Sequence, residues 1–477
     1  MLFNSIEFFF FLPTVFLLYW FVFSRNLIAQ NLFIVATSYF FYGWWDWRFL
    51  SLIIFSSLVD YGIGIRMSNV TNDHRRKKLL YLSVFVNLGL LGFFKYFNFF
   101  IESFVQGFTF LGGTPNFQSL NVILPVGISF YTFQTLSYTL DVYNGKVKPT
   151  SNISAFLAFV SFFPQLVAGP IERAERFLPQ FLKSRIFDQK KASDGMRQIL
   201  LGLLKKILIA DTCAPIVSDI FANYSDYSTP TLLYGAVLFI IQIYCDFSGY
   251  SDIAIGTGRL FGFDLLKNFD IPYFSKSTTE IWRRWHISLG NWFNSYLFIP
   301  IAKKMATKLG TSGITLGLIL TFTIIGLWHG ANWTFVVFGL IHGVVLSFEM
   351  LTKKARRKIS KLTGQTVFSI LGWATTMIIW LFTCIIFRSE SLSSGTNYIV
   401  RMFTEFSIGI PKGLLSIPIV IIFGLFFLLE WLQKGKEHTF QVSNLNIGFR
   451  WSIYLSVFVL ILSFGKFNND SFIYFQF

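Results

Sequence analysis

Charge is what this chain has least of. Asp, Glu, Lys and Arg make up 13% of its 477 residues, against 53% hydrophobic and 19% aromatic residues. That balance excludes a soluble domain, whose interior could not hide so much apolar surface. Cysteine is also scarce: Cys213, Cys245 and Cys384 lie far apart in or beside apolar runs. Three such thiols exclude a disulfide framework and offer no metal-ligand spacing. Acid is short relative to base, 24 residues against 40, for a net charge of +16. The excess base sits in clusters between apolar runs, a pattern that sets topology and meets anionic lipid headgroups; nucleic acid is not expected as a partner. There is no Gly-x-Ser-x-Gly elbow and no His-Glu-x-x-His, so neither an elbow hydrolase nor a helical zinc site is expected, and no metal or bound cofactor. The short alternating segments of a membrane barrel are missing too.

What is present is a succession of apolar runs, at about 6–23, 28–45, 49–65, 79–100, 122–143, 232–261, 313–328, 332–350, 367–387, 414–432 and 450–465. Shorter or interrupted runs lie at about 153–170, 198–221 and 285–301. The chain reads as an all-α polytopic membrane protein in one domain, 1–477. The run 6–23 lacks a basic leader and a small-residue cleavage site, so it reads as a retained span. Arg66, Arg75, Arg76, Lys77 and Lys78 mark one cytoplasmic loop and Lys353, Lys354, Arg356, Arg357 and Lys358 another; counting back three spans places the N-terminus outside. The segment 102–121, with one charge, then falls outside as well. Pro164 and Ala168-Gly169-Pro170 interrupt 153–170 and predict a bent or re-entrant piece. Such backbone is tolerated at membrane depth only against protein or a water-filled cavity, so the irregular elements around 153–301 predict a cavity at the centre of the fold.

Chemistry concentrates between 240 and 345. His329, in Trp328-His329-Gly330, is an imidazole inside an apolar run, as is His286 at the edge of Trp282-Arg283-Arg284-Trp285-His286. A titratable ring in such a setting either faces a cavity, partner or substrate, or bonds a backbone carbonyl structurally. Asp246 and Asp252 require pairing or water, and Arg259, Arg283 and Arg284 are the nearest expected partners. Gly249, Gly256, Gly258 and Gly262 read as close helix contacts, because no strand precedes them. His342 reads as packing or cavity lining, and His74 and His438 lie in charged loops without a signal of their own. With nucleophile elbows and metal sites excluded, a histidine acting as general base on an incoming hydroxyl remains, with Trp and Arg shaping the pocket. Acid–base catalysis contributes roughly 10²–10⁴-fold, which suits transfer from an activated thioester better than hydrolysis of an unactivated bond.

Several stretches carry a family resemblance. They are Leu2-Phe-Asn-Ser-Ile-Glu-Phe-Phe, Phe40-Phe-Tyr-Gly-Trp-Trp45, Leu124-Pro-Val-Gly-Ile-Ser-Phe-Tyr-Thr-Phe-Gln134 and Phe163-Pro-Gln-Leu-Val-Ala-Gly-Pro-Ile171. Further on come Tyr244-Cys-Asp-Phe-Ser-Gly-Tyr-Ser-Asp-Ile-Ala-Ile-Gly256, Trp282-Arg-Arg-Trp-His-Ile-Ser-Leu289, Gly326-Leu-Trp-His-Gly-Ala331 and Phe472-Ile-Tyr-Phe-Gln-Phe477. Together they resemble the membrane-bound O-acyltransferases, in the branch that serves bacterial alginate O-acetylation. The resemblance implies a ring of transmembrane helices around a thinned centre with funnels from both faces. It implies a thioester donor such as acetyl-CoA entering from the cytoplasm, and an extracytoplasmic polysaccharide acetylated through a periplasmic acetyl-accepting partner protein. His329 matches the family histidine and His286 the second polar residue, giving both catalytic roles; Trp328, Trp285, Arg283, Arg284, Asp252 and Asn332 become substrate-binding candidates. The location implied is the bacterial inner membrane.

Two departures concern the substrate. Asn294-Ser295 stands where the alginate pattern has Arg-Asp, and Leu266-Lys-Asn-Phe269 lacks an expected acidic residue. They question alginate itself and leave the chemistry untouched. The alternatives are D-alanyl transfer to teichoic acid from an acyl carrier protein, whose acidity would suit the basic clusters, and a channel without chemistry. Transporter folds show internal repeats, and none is visible in this sequence.

Overall fold

A computed structural model describes residues 1–113, 120, 122–406, 414–467 and 472–473. Most of 114–121, and the last four residues of the 472–477 motif, lie outside the described residues. Every regular element among those described is helical. Among the described residues seven helical stretches are long and apolar enough to cross a bilayer, so the chain is a multi-pass membrane protein. The helices fall into two compact units, Met1–Gly195 with Thr257–Leu266, and Met196–Gly256 with Lys267–Phe477.

The first unit opens with α1 (Ile6–Leu17), α2 (Leu27–Asp46), α3 (Leu50–Ser68) and α4 (Asp73–Leu91). A π turn, Gly92–Tyr96, carries α4 into α5 (Phe97–Phe110), so the run expected at 79–100 is helical well beyond both ends. The expected run 122–143 is helical only over α6 (Ile128–Tyr143), because Pro125 and the left-handed Gly127 delay the helix start. Polar side chains tie α3, α4 and α6 together: Asp60 accepts from Ser83 Oγ at 2.6 Å and Asn87 Nδ2 at 2.7 Å, and Thr135 donates to Asn87 Oδ1 at 3.0 Å. Such bonds join helices where lipid gives no hydrophobic drive to association.

The bend expected near Pro164 is present. Helix α7 (Ile153–Ser161) stops at Phe162, and α8 (Phe163–Leu166) restarts with Pro164 in its first turn, where no amide is required. Protein covers the bend: 155–171 is buried apart from the half-buried Leu157. Helix α9 (Ala174–Phe181) follows, then α10 (Gln189–Leu203), which enters the second unit.

There a π turn, Leu204–Ala210, leads into α11 (Asp211–Ala222), and α12 (Thr229–Leu260) comes next. Helix α12 ends in a Schellman cap: Phe263 N–H reaches Gly258 O and Gly262 N–H reaches Arg259 O, with Gly262 left-handed. Gly262 is thus a helix terminator rather than a helix contact, whereas Gly249 does lie against Gly202 and Lys205. Two short helices, α13 (Thr278–Arg284) and α14 (Ile287–Phe293), precede α15 (Ile299–His329) and α16 (Trp333–Leu351). Helix α15 reverses at Gly310, whose φ of 57° and ψ of −133° suit only glycine, and its two arms pack at Ala302 and Gly317. The remaining helices are α17 (Lys353–Thr363), α18 (Gln365–Arg388), α19 (Leu392–Thr404), α20 (Ile417–Leu432) and α21 (Ile447–Phe464).

Candidate active site

Glycine sets where His329 lies. The second arm of α15 runs against α16 with no room for side chains between them. A Cβ at Gly326 would overlap Phe335 O, one at Gly339 would overlap Phe322 O, and one at Gly343 would come within 2.8 Å of Ile319 Cα. This small-residue seam is how membrane helices approach closely. His329 is the last residue of α15, and Gly330 continues in extended backbone under the Phe335 ring. The turn back is capped by Asn332, whose Oδ1 accepts Thr334 N–H at 3.0 Å while its Nδ2 donates to Glu390 O at 2.9 Å.

His286 arrives by a different route. Helix α13 is capped at its start by Ser277 and by Glu349 of α16, which accepts from the amides of Thr278 and Thr279 at 2.8 and 2.9 Å. After Trp285 in extended backbone, His286 takes the left-handed conformation, φ 43° and ψ 54°, and α14 begins at once. A non-glycine residue in that region costs of order 1–3 kcal/mol and is held by its surroundings; such residues gather at functional sites.

The two imidazoles meet. Their ring centroids are 6.5 Å apart, with His286 1% and His329 4% exposed. Trp328 bridges them, 5.7 Å from His286 and 5.2 Å from His329. Phe247 lies edge-on to His286 at 4.6 Å, and Phe387 and Phe338 lie edge-on to His329 at 5.5 and 6.2 Å. Two rings able to give or take protons thus share an aromatic enclosure.

The other predicted residues are elsewhere. Trp285 belongs to a neighbouring stack, 5.1 Å from Phe269 and 5.0 Å from Trp380. Arg283 is exposed. Arg284 binds Glu280 at 3.0 Å and Asp270 at 3.3 Å, and Arg259 pairs with Asp194. Among the described residues, neither Arg259 nor Arg284 is bonded to Asp246 or Asp252 in these pairs. Lysines are: Lys205 Nζ lies 2.9 Å from Asp252 and 3.2 Å from Glu430, and Lys206 Nζ lies 2.8 Å from Asp211 and 2.6 Å from Asp246. Both lysines sit in the π turn before α11, which points consecutive residues at the acids of α12. His342, buried, bonds Thr383 Oγ1 at 3.2 Å between Trp282 and Trp380, the packing role expected of it.

Residues 66–391 match the family described as MBOAT, membrane-bound O-acyltransferase. The chain belongs to the membrane-bound O-acyltransferase family. The matched span contains both histidines and every other predicted site residue. The chain is 39% identical to the probable alginate O-acetylase of Azotobacter vinelandii over 402 residues, 84% of this chain and 77% of that one. It is 32% identical to the peptidoglycan O-acetyltransferase of Helicobacter pylori over 431 residues, 84% of this chain and 80% of that one. Similarity to the teichoic acid D-alanyltransferase of Bacillus subtilis is 28% over 228 residues, 45% of this chain and 56% of that one.

Within this family member the sequence reading missed a second polar region. A small cleft, with about 30 Å³ of open space, lies beside Lys205, lined among others by Ser248, Asp252, Asn268, Glu430 and His438. Its walls come from within 201–271, inside the 153–301 region from which a cavity was expected, and from 430–439. A signal existed: Lys205, Lys206 and Glu430 are ionisable residues in apolar runs, each of which demands a partner.

Proposed function

We propose that this protein moves an acetyl group from a cytoplasmic thioester, acetyl-CoA or an acyl carrier protein, across the inner membrane for O-acetylation of an extracytoplasmic polysaccharide. The observation that carries the reading is the opposition of His329 and His286 in one aromatic enclosure, inside residues 66–391 that match the O-acyltransferase family. His329 takes the proton from the acceptor hydroxyl as its oxygen bonds to the thioester carbonyl carbon. His286 donates to the oxyanion that forms, or orients the donor. The carbon–sulfur bond then breaks, and the thiolate leaves with the proton that His329 holds. Trp328 walls the reacting centre against water, which would otherwise compete as acceptor. The first acceptor is a periplasmic partner protein, which passes the acetyl group to the glycan. The N-terminus faces outside, and no cofactor is held.

The B. subtilis relative supports a second reading, D-alanyl transfer from a carrier-protein thioester, though over less than half of this chain. Mass spectrometry of cell-surface glycans from a strain expressing the protein and from its deletion strain separates the two. Loss of ester-linked acetyl on deletion supports acetyl transfer, and loss of ester-linked D-alanine replaces it with the second reading.

A further inference from the structure

His286 occupies the N-cap position of α14, where Ser, Thr, Asp or Asn ordinarily accepts the first free amides of a helix. Its side chain makes no capping bond. The task is carried out from another part of the chain. Asn268 uses its main-chain oxygen to accept Ile287 N–H at 2.9 Å, and its Oδ1 to accept Ser288 N–H at 3.3 Å and Ser288 Oγ–H at 2.8 Å. Its Nδ2 in turn donates to Ser251 Oγ of α12 at 3.2 Å. Asn268 is 1% exposed, so every one of these bonds is sheltered from water.

The same short segment is fastened on the other side of His286. Asp270 N–H donates to Arg284 O at 2.9 Å, and Arg284 Nη1 returns a bond to Asp270 O at 3.1 Å. Residues 268–270 and 284–288 are therefore strapped together both before and after the left-handed residue. His286, between these fastenings, and Ile271, directly after Asp270, are the two non-glycine residues with positive φ among those described.

We infer that Asn268 is a positioning residue: it caps α14 in place of His286, so that the His286 ring is turned toward His329 rather than onto the helix end, and it holds the His286 backbone left-handed. The inference rests on the proposed function only in giving that imidazole a role in transfer; the cap and the backbone conformation stand apart from it. Without the carboxamide, the Ser288 amide loses its acceptor, and the strained φ of His286 loses the contact that opposes its relaxation.

The test reads the backbone of His286 directly. Full-length protein labelled with ¹³C,¹⁵N-histidine is placed in nanodiscs and its five histidines are observed by NMR, with His286 assigned by its disappearance in His286→Gln. Asn268→Ala is expected to move the His286 Cα and Cβ shifts out of the left-handed range and leave His342 unmoved. Asn268→Asp, which keeps the accepting oxygen, restores them. In an acyl-transfer assay Asn268→Ala lowers kcat about tenfold or more with the donor KM within about twofold, and Asn268→Asp recovers most of the loss. An unmoved His286 signal in Asn268→Ala overturns the inference whether or not transfer is detected. Absence of transfer by wild type, with the shifts behaving as stated, counts against the proposed function alone. If Asn268→Ala does not assemble, Ser251→Ala unhooks the carboxamide from α12 and takes its place; a smaller displacement in the same direction supports the inference, and none overturns it.

Discussion

Substituting Gly326 by alanine tests whether the α15–α16 seam fixes the position of His329. A methyl group there overlaps the carbonyl oxygen of Phe335 and lies 3.0 Å from both the Phe335 carbonyl carbon and the Gly339 amide nitrogen. All three are backbone atoms, so no side chain can swing away. Carbon contacts settle at about 3.5–4.0 Å, so the two 3.0 Å contacts alone require the helices to part by roughly 0.5–1 Å, and the nearer Phe335 oxygen requires more. Overpacking of this kind costs typically 1–3 kcal/mol. His329 lies three residues on along the same helix and moves with it, and a misplacement of about 1 Å costs as much as 10²-fold in rate. Gly326→Ala in nanodiscs is thus expected to lower the thermal midpoint and to reduce transfer per folded molecule further than the loss of fold explains. Gly62→Ala is the control: it lies within α3 and nothing is within 4 Å of an added methyl, so stability stays level or rises by up to about 1 kcal/mol. A Gly326→Ala protein with wild-type midpoint and wild-type transfer refutes the seam argument.

Other outcomes follow from the buried polar groups. Lys205→Met strands the Asp252 and Glu430 carboxylates and should destabilise by about 3–5 kcal/mol in a chemical or thermal melt, with part of the loss recovered in Lys205→Met/Glu430→Gln. His342→Ala empties a site between Trp282, Phe338 and Trp380; it should cost about 2–5 kcal/mol and leave transfer per folded molecule within a few-fold of wild type. Burial pushes the Glu172 carboxyl up from 4.5 to about 7, against the pull of Arg176 and the Leu266 amide. Because the folded state then holds the proton more tightly than the unfolded chain, the stability this group contributes is complete below about pH 4.5 and is lost as pH rises through about 7. Glu172→Gln should flatten that part of the midpoint-versus-pH curve, and an unchanged slope contradicts the assignment.

Some of this was legible in the sequence for a plain reason. His329 and His286 interrupt apolar runs, and Pro164 breaks one, so each declares itself without a partner being known. The long helices declare themselves by apolar length alone. The ion pairs did not, because charge partners in a membrane chain are set by which helices pack, not by distance along the sequence. Arg284 is near Asp252 in sequence and goes to Asp270 and Glu280, while Lys205 reaches Asp252 from before α11 and Glu430 from α20. Helix ends were blurred for a related reason: exposed polar residues such as Lys303, Lys304, Thr307 and Lys308 are not a boundary, because α15 runs through them to its reversal at Gly310. Asn268 gave no signal, since it caps a helix that begins nearly twenty residues later.

The most direct measurement is transfer of labelled acetyl from acetyl-CoA by the purified protein in nanodiscs, with the proposed acceptor protein or added glycan present, comparing wild type with His329→Gln. The account predicts ester-linked label on the acceptor with wild type and, with a His329→Gln protein of unchanged midpoint, a loss of at least about 10²-fold. Equal transfer by the two proteins contradicts it.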